Sequence, residues 1–462
     1  RGERDWAICG VSLRRPDVRD ALQPQQGLYA LIERSDRASD ARVIGSVREL
    51  LVAPESPQAV IERIAAPSTR WVTLTITEKG YGIDAATGGL DPRAPQHAAD
   101  LARPGAPASA VGLVVGGLAR RFLAARTADP AAAPRGLAVI SCDNLSSNGR
   151  VLGTLMRDYL ARQRDNPAWT AAFAGVDAAA LSRWIDAHVR FPSTMVDRIV
   201  PATDDALRTQ ARELLGCEDA WPVAAEPFSQ WVLEDDFADG GRPGLERSGV
   251  QLVPDVAPYE AMKLRLLNAA HSLIAYLAVP AGFDTVAQAI AEPAIRRVVE
   301  RFWRDEAVPA LPAAVRSEAP AYCAALLPRF ANAALAHRTT QIAIDGSQKL
   351  PVRIVPTLAE NAAAGAPIEL AALAIAAWIR FLDGRRDDGA RYAIDDPRAA
   401  ELQALVARFA EPAQRVPAVL ALAHRFGSLN DVARVRDTVA RHVRGLAAQG
   451  VLPYVESLAS ER

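Results

Sequence analysis

The sequence predicts an α/β domain followed by a mostly α-helical one. Three observations carry this. Short β-rich runs alternate with helix-patterned stretches through the first half of the chain. One of those runs, residues 136–142 (GLAVISC), is apolar almost throughout, as a strand buried on both faces of a parallel sheet is. Past Pro254 nearly every segment has helical periodicity, interrupted by Pro- and Gly-bearing stretches. The boundary is predicted within residues 253–259, dividing 1–254 from 255–462.

In chain order, residues 6–13 (WAICGVSL) form a short strand, with Asp17 in the loop after it. Residues 28–35 (LYALIERS) and 41–50 (ARVIGSVREL) alternate in polarity and predict two further strands or strand pairs. Residues 56–66 form a helix, since Ser56 suits its cap and Pro57 its first position. The β-branched run 71–81 (WVTLTITEKGY) is predicted as a strand ending at Glu78. Residues 107–127 are predicted helical. The GLVVGG there lacks GxGxxG spacing and follows no strand, so Gly112, Gly116 and Gly117 are assigned to close helix packing. Asp143, Asn144 and Asn148 follow the strand 136–142 at its carboxyl edge, where ligands bind on parallel sheets. Helices then fill 150–189, with Trp184 and Ile185 in the core.

Residues 191–201 (FPSTMVDRIVP) form an extended segment carrying Asp197 and Arg198, for which structural ion pairs are the plain alternative to a site. Residues 226–237 (EPFSQWVLEDDF) make an aromatic-rich strand. In the second domain helices are predicted at 259–276, 285–300, 321–337, 368–382, 397–410, 417–424 and 430–449. A non-helical island, 341–356 (QIAIDGSQKLPVRIVP), carries Gln341, Lys349 and Arg353 and is expected to return to a cleft between the domains.

Composition narrows the function classes. A net charge of −1 argues against nucleic acid as a partner. No apolar run reaches the ~18 residues of a membrane helix, so no membrane partner is expected. The four cysteines, Cys9, Cys142, Cys217 and Cys323, lack CxxC spacing, which fits a reduced, cytoplasmic protein. The six histidines are scattered and no HExxH occurs, so no metal site is indicated. The chain lacks an initial Met and enters a core-type run almost at once, which predicts that something upstream is missing.

The most informative stretch is 259–276 (YEAMKLRLLNAAHSLIAY). Leu264, Leu266, Leu267, Leu273 and Ile274 cover most of its circumference, so the helix should be buried. It nevertheless carries Glu260, Lys263, Asn268 and His271. On an α-helix with Lys263 at 0°, Glu260 falls at about 60°, His271 at about 80° and Asn268 at about 140°. A Lys held there can lose its proton near neutral pH, as a general base must. The plain alternative is a helix-entry Lys that reaches water and a His bonded within the core.

Five segments now stand in one order along essentially the whole chain: TITEKGY (75–81), SCDNLSSNG (141–149), FPSTMVDRIVP, EPFSQWVLEDDF and MKLRLLNAAHS (262–272). In these the chain resembles the polyol-specific long-chain dehydrogenases, the family of mannitol dehydrogenase and fructuronate reductase. The resemblance implies a Rossmann-type NAD-binding domain, a helical substrate domain, a small sugar acid or polyol as substrate, a monomer, and no metal. It implies Lys263 as general base, Asn144 and Asn268 as donors to the alkoxide-like oxygen, His271 and Asp197 at the substrate, and Glu78 and Glu260 on a proton path. Asp17 would bond the ribose hydroxyl and favour NAD over NADP, with Arg14 and Arg15 weighing against it. The chemistry explains these residue types. A secondary alcohol losing hydride must also lose its hydroxyl proton, so Lys263 must be neutral at the working pH, well below the ~10.4 of a free Lys. Burial and a positive neighbour such as protonated His271 would move it that way.

Two departures qualify the resemblance. The family's glycine loop after the first strand is absent, so the Rossmann-type domain is expected to lack its first strand and that loop. The island HRTTQIAIDGSQKLP (337–351) is closer to fructuronate reductases, and Gln341 stands where mannitol enzymes tend to have Arg. Arg338, Lys349 or Arg353 would meet a uronate carboxylate. The leading expectation is interconversion of D-fructuronate and D-mannonate. The alternatives are an uncharged polyol such as mannitol or arabinitol, and a non-catalytic sugar-binding relative.

Overall fold

The computed structural model describes residues 5–35, 39–84, 86–127, 136–238, 242, 244–422 and 426–460, apart from the side chain of Glu78. They form two compact units, Arg1–Ala257 and Pro258–Arg462.

The strands of the first unit, in chain order, are β1 (Ile8–Ser12), β2 (Tyr29–Arg34), β3 (Ser39–Ile44), β4 (Val47–Val52), β5 (Trp71–Leu74), β6 (Leu137–Ser141), β7 (Val189–Arg190), β8 (Thr194–Asp197), β9 (Val223–Ala225), β10 (Gln230–Glu234) and β11 (Val250–Val253). The fully buried β6 lies between β5 and β7 and is parallel to both. β1 is parallel to β4. The remaining pairings are mixed: β2 runs antiparallel to β3 and parallel to β9, and β10 runs antiparallel to β8 and parallel to β11. Purely parallel pairing therefore holds around the apolar strand and between β1 and β4. The polar–apolar alternation of β2 and β3 suits an antiparallel pair with one face toward water.

The helix Pro57–Ala65 packs on the helix Ala110–Thr127. A Cβ on Gly117 would run into Ile64, and one on Gly116 would crowd Ile61, so these glycines serve close packing. Pro57 does occupy the first helical turn, but the Ser56 side chain makes no capping bond. The strand predicted through Glu78 ends at Leu74 instead, and Thr77–Gly80 forms a helical turn. The cause is Asp143, 66 residues further on, whose carboxylate accepts the N–H of Ile76 and of Thr77 at 3.0 Å each.

The second unit is helical. Its central helix runs unbroken through Ala257–Met262, a π-helical turn Lys263–Asn268, and Ala269–Ala281. At 25 residues it is long and apolar enough to cross a membrane, which corrects the reading that no run reaches that length. With 72% of its apolar window buried inside the protein, it is a core helix here. It packs on the equally buried helix Glu369–Phe381. The predicted helix 285–300 is two: Val286–Ala291, opened by a capping box between Thr285 and Gln288, and Pro293–Arg301. A second π-turn, Phe302–Ala307, follows directly.

The island 341–356 is helical, contrary to expectation. It comprises Thr339–Ile342, Gly346–Arg353 and the start of Val355–Ala363. The Asp396 carboxylate accepts both the N–H and the hydroxyl of Ser347 at 2.8 Å, supplying a helix start that local sequence does not. The predicted helix 417–424 is observed as Arg415–Leu420, and its last two positions lie outside the described residues.

Candidate functional site

In the second unit, four of the predicted site residues sit on the central helix. Glu260, Lys263 and His271 are buried with Leu266, Leu267, Leu273 and Ile274 around them. The helix departs from α geometry at the site itself. The N–H of Ala269 reaches back five residues to the carbonyl of Leu264, as a π-turn requires. Two carbonyls of the turn also take partners from outside the helix. The Trp303 indole N–H donates to the Leu266 carbonyl at 2.9 Å. The Arg353 guanidinium donates to the Asn268 carbonyl at 3.3 Å and to the Ser272 hydroxyl at 3.2 Å.

His271 packs between aromatic rings, with its centroid 4.7 Å from that of Phe330 and 5.2 Å from that of His337. Burial holds its pKa well below the ordinary histidine value. His337, Arg353, Arg329 and Lys349 push it the same way. His271 is therefore neutral, which corrects the expectation that a protonated His271 depresses Lys263. A neutral imidazole can donate from one nitrogen and accept at the other, as a ligand to substrate hydroxyls must. His337 is also held below the ordinary value by burial.

The other predicted substrate contacts divide. Arg353 reaches the π-turn as described, and Lys349 adds to the positive field at His271 while its ammonium donates to the Ile342 carbonyl at 3.3 Å. Arg338 and Gln341 are exposed at the start of the short helix Thr339–Ile342. Sequence reasoning missed Trp303, Phe330, Arg329 and His337. Trp303, Arg329 and Phe330 belong to no recognised segment, His337 opens the segment 337–351 without a role assigned to it there, and only folding brings residues 303–337 against the helix 257–281.

In the first unit, Asn144 is exposed just beyond the carboxyl end of β6. Its neighbour Asp143 organises the loop after β5. Besides the two backbone N–H groups it accepts the Tyr81 hydroxyl at 2.8 Å, and that hydroxyl is 2.6 Å from Ser141 Oγ. Asn148, buried, donates to the carbonyls of Asp143 and Thr194 at 3.0 Å each. Its role is structural. Asp197 is buried on β8, and Arg198 makes the ion pair anticipated as the plain alternative, with Glu33 at 2.6 Å.

A cavity of about 2820 Å³ opens in this unit. Its lining includes Ser12 and Leu13 after β1, Thr75 and Ile76 after β5, and Ser109 and Ala110 at the start of the helix Ala110–Thr127. It thus adjoins the carboxyl ends of parallel strands, the place where nucleotides bind on such sheets. Asp17 opens the helix that follows β1 and pairs with Arg15, which holds its carboxyl below the usual carboxylate range. No glycine-rich turn follows β1, β5 or β6, so these strand ends do not supply a pyrophosphate cradle. Among the described residues no three His, Cys, Asp or Glu side chains converge on a metal-holding group.

The family models for the mannitol dehydrogenase Rossmann domain and the mannitol dehydrogenase C-terminal domain match residues 2–247 and 255–447. The chain belongs to the mannitol dehydrogenase family. D-mannonate oxidoreductase of Escherichia coli (strain K12) is 38% identical over 429 residues, covering 92% of this chain and 83% of that protein. Mannitol 2-dehydrogenase of Pyrenophora tritici-repentis is 38% identical over 462 residues, covering 99% and 77%. The structure of Pseudomonas fluorescens mannitol 2-dehydrogenase, a ternary complex with NAD and D-mannitol, matches with a TM-score of 0.81 at 36% identity, covering 100% of this chain and 89% of that one. Equal identity to the first two leaves the choice among mannitol dehydrogenase family substrates to the site.

Proposed function

We propose that the chain is an NAD-dependent oxidoreductase that interconverts D-fructuronate and D-mannonate, with Lys263 as general base and no metal. The observation that supports a uronate over an uncharged polyol is the cluster of cations about His271. Arg329, Lys349 and Arg353 all bias that imidazole against protonation. A field that repels a proton attracts a carboxylate. Within the proposal, residues 1–254 hold the cofactor, with Asp17 at its ribose, and residues 255–462 hold the substrate. The protein works in the cytoplasm as a monomer.

NAD, when bound, supplies the hydride acceptor. The chain's own residues handle the proton and the charge. Neutral Lys263 takes the substrate hydroxyl proton at its Nζ, and gives it back in reduction. The amides of Asn268 and Asn144 donate to the oxygen as it gains negative charge. His271 fixes substrate hydroxyls, Asp197 assists at the substrate, and Glu260 and Glu78 pass the released proton toward water.

A substrate panel on the full-length protein tests this. D-Fructuronate with NADH should be reduced with a kcat/KM at least about 100-fold above that for D-fructose, as expected when a site is built to pair a charged group. Strong reduction of fructose with none of fructuronate would reassign the protein to uncharged polyols. Sugar binding without turnover of any panel member would favour a non-catalytic relative.

A further inference from the structure

We infer that the π-turn Lys263–Asn268 is what unites the base and its oxyanion donor, and that Trp303 and Arg353 are positioning residues that hold the turn open. The inference rests on the proposed roles of Lys263 and Asn268.

The argument begins with spacing. Lys263 and Asn268 are five residues apart. On a regular α-helix that separation turns the two side chains apart by about 140°. In an i→i+5 ladder a turn takes between four and five residues, so the same separation leaves them only about 50° apart. The correction carries forward along the helix. His271, three α-helical residues further on, falls within about 10° of Lys263. Glu260, three residues before it, stays at about 60°. The four polar residues thus contract from an arc of about 140° to one of about 70°. An apolar helix with this sequence gains one usable polar stripe only through the extra residue.

The turn is held by partners outside the helix. In a regular ladder the Leu266 carbonyl would take its bond from the N–H four residues on. Here it takes the Ala269 N–H from only three residues on and, beside it, the Trp303 indole at 2.9 Å. Trp303 is almost fully buried and opens its own π-turn, Phe302–Ala307, in which the Val308 N–H bonds back five residues to the Trp303 carbonyl at 2.9 Å. Arg353 takes the Asn268 carbonyl at the other end of the turn. Arg265, inside the turn, is anchored outward to the Ala310 carbonyl at 2.8 Å and to both oxygens of Glu360 at 2.5 and 2.6 Å. A π-turn costs backbone hydrogen-bond quality, so side chains that recover its carbonyls decide whether it persists.

Trp303→Phe keeps the ring but removes the indole N–H. Deleting Leu264, a partly buried residue of the turn, removes the extra residue, and on the regular α-helix that results Lys263 and Asn268 stand four residues and about 40° apart, so their common face is kept without the turn. Each variant and the two combined are compared with the parent and Lys263→Ala. The readouts are kcat, KM, NADH affinity, the pH profile of kcat and thermal stability. Trp303→Phe should lower kcat about tenfold and shift the base-dependent limb of the pH profile, with NADH affinity unchanged. Added to the deletion, Trp303→Phe should change neither kcat nor the limb, because no turn is left to hold. Trp303→Phe with an unshifted limb and kcat within about threefold of the parent would overturn the inference, and so would an equal loss with and without the deletion. If the deletion variants do not fold, Trp303→Phe decides alone: a shifted limb supports the inference, and an unshifted limb overturns it. Active Lys263→Ala would remove the base reading and the inference with it.

Discussion

Asp143→Asn is expected to loosen the segment that carries Glu78 at a cost of about 2 kcal/mol. An ionised carboxylate only accepts, and both oxygens of Asp143 are used. One takes the Thr77 N–H at 3.0 Å; the other takes the Ile76 N–H at 3.0 Å and the Tyr81 hydroxyl at 2.8 Å. An asparagine side chain has one accepting oxygen, so its amide must face at least one donor that then has no partner. Such a loss costs about 1–3 kcal/mol where water is excluded and less where it can enter. Thr77 is exposed and Tyr81 fully buried, which sets the middle of that range. The tether also sustains strain. Thr77 has φ 64°, a left-handed conformation that costs a β-branched residue roughly 1–2 kcal/mol. Thr77→Gly should therefore recover part of the loss when added to the Asp143→Asn variant. Urea unfolding monitored through Trp71, in the adjoining strand β5, and amide exchange at Ile76 and Thr77 measure both effects. Unchanged exchange at those two amides, with unfolding free energy within about 0.5 kcal/mol of the parent, would refute the tether.

Three further outcomes are expected. Lys263→Ala should cut turnover by orders of magnitude in stopped-flow assays while leaving NADH affinity nearly unchanged, and near-normal turnover would remove Lys263 from the base role. Asn268→Ala and Asn144→Ala should each cost about 2–4 kcal/mol of transition-state stabilisation in kcat/KM, and unaffected rates would end the oxyanion account. Glu306 is buried in the second π-turn, where it accepts the N–H groups of Leu370 and Ala371 at 2.6 and 2.8 Å, and burial pushes its pKa from 4.5 up to about 7. A folded pKa above the unfolded one adds stability below the unfolded value and loses it as pH rises to about 7. The drop is about 3 kcal/mol, from a difference of 7 − 4.5 at 1.36 kcal/mol per unit. Thermal unfolding from pH 4 to 8 should show that slope in the parent and a much flatter one in Glu306→Gln, and equal slopes would refute the assignment.

Much of the fold was legible because period and burial agree locally. The run LAVIS is apolar at every position and became the central strand β6. The helix 259–276 is apolar on nearly every face and became a core helix. Errors arose where a distant side chain competes with local preference. Residues 75–78 look like the continuation of a β-branched strand, and nothing within them reveals that Asp143 captures the N–H groups of Ile76 and Thr77. Residues 341–356 look like a turn-rich island, and the helix start at Gly346–Arg353 depends on Asp396.

The π-turn belongs to the same class, for a deeper reason. On an amphipathic helix an inserted residue would rotate the apolar stripe and break the 3.6-residue period, so the sequence would record it. Around Lys263–Asn268 there is no such stripe to break. The helix is apolar on nearly every face, and an extra residue there leaves the hydrophobic pattern almost unchanged. Helical register is then fixed by polar partners, Trp303 on Leu266 and Arg353 on Asn268, which lie 37 and 85 residues away in sequence. The four polar residues of the candidate site could thus be placed from sequence on one broad arc of about 140°, but its contraction by the π-turn could not. Where apolar residues cover nearly the whole circumference, hydrophobic patterning loses its power to report register, and the site's geometry passes from the helix to the side chains that surround it.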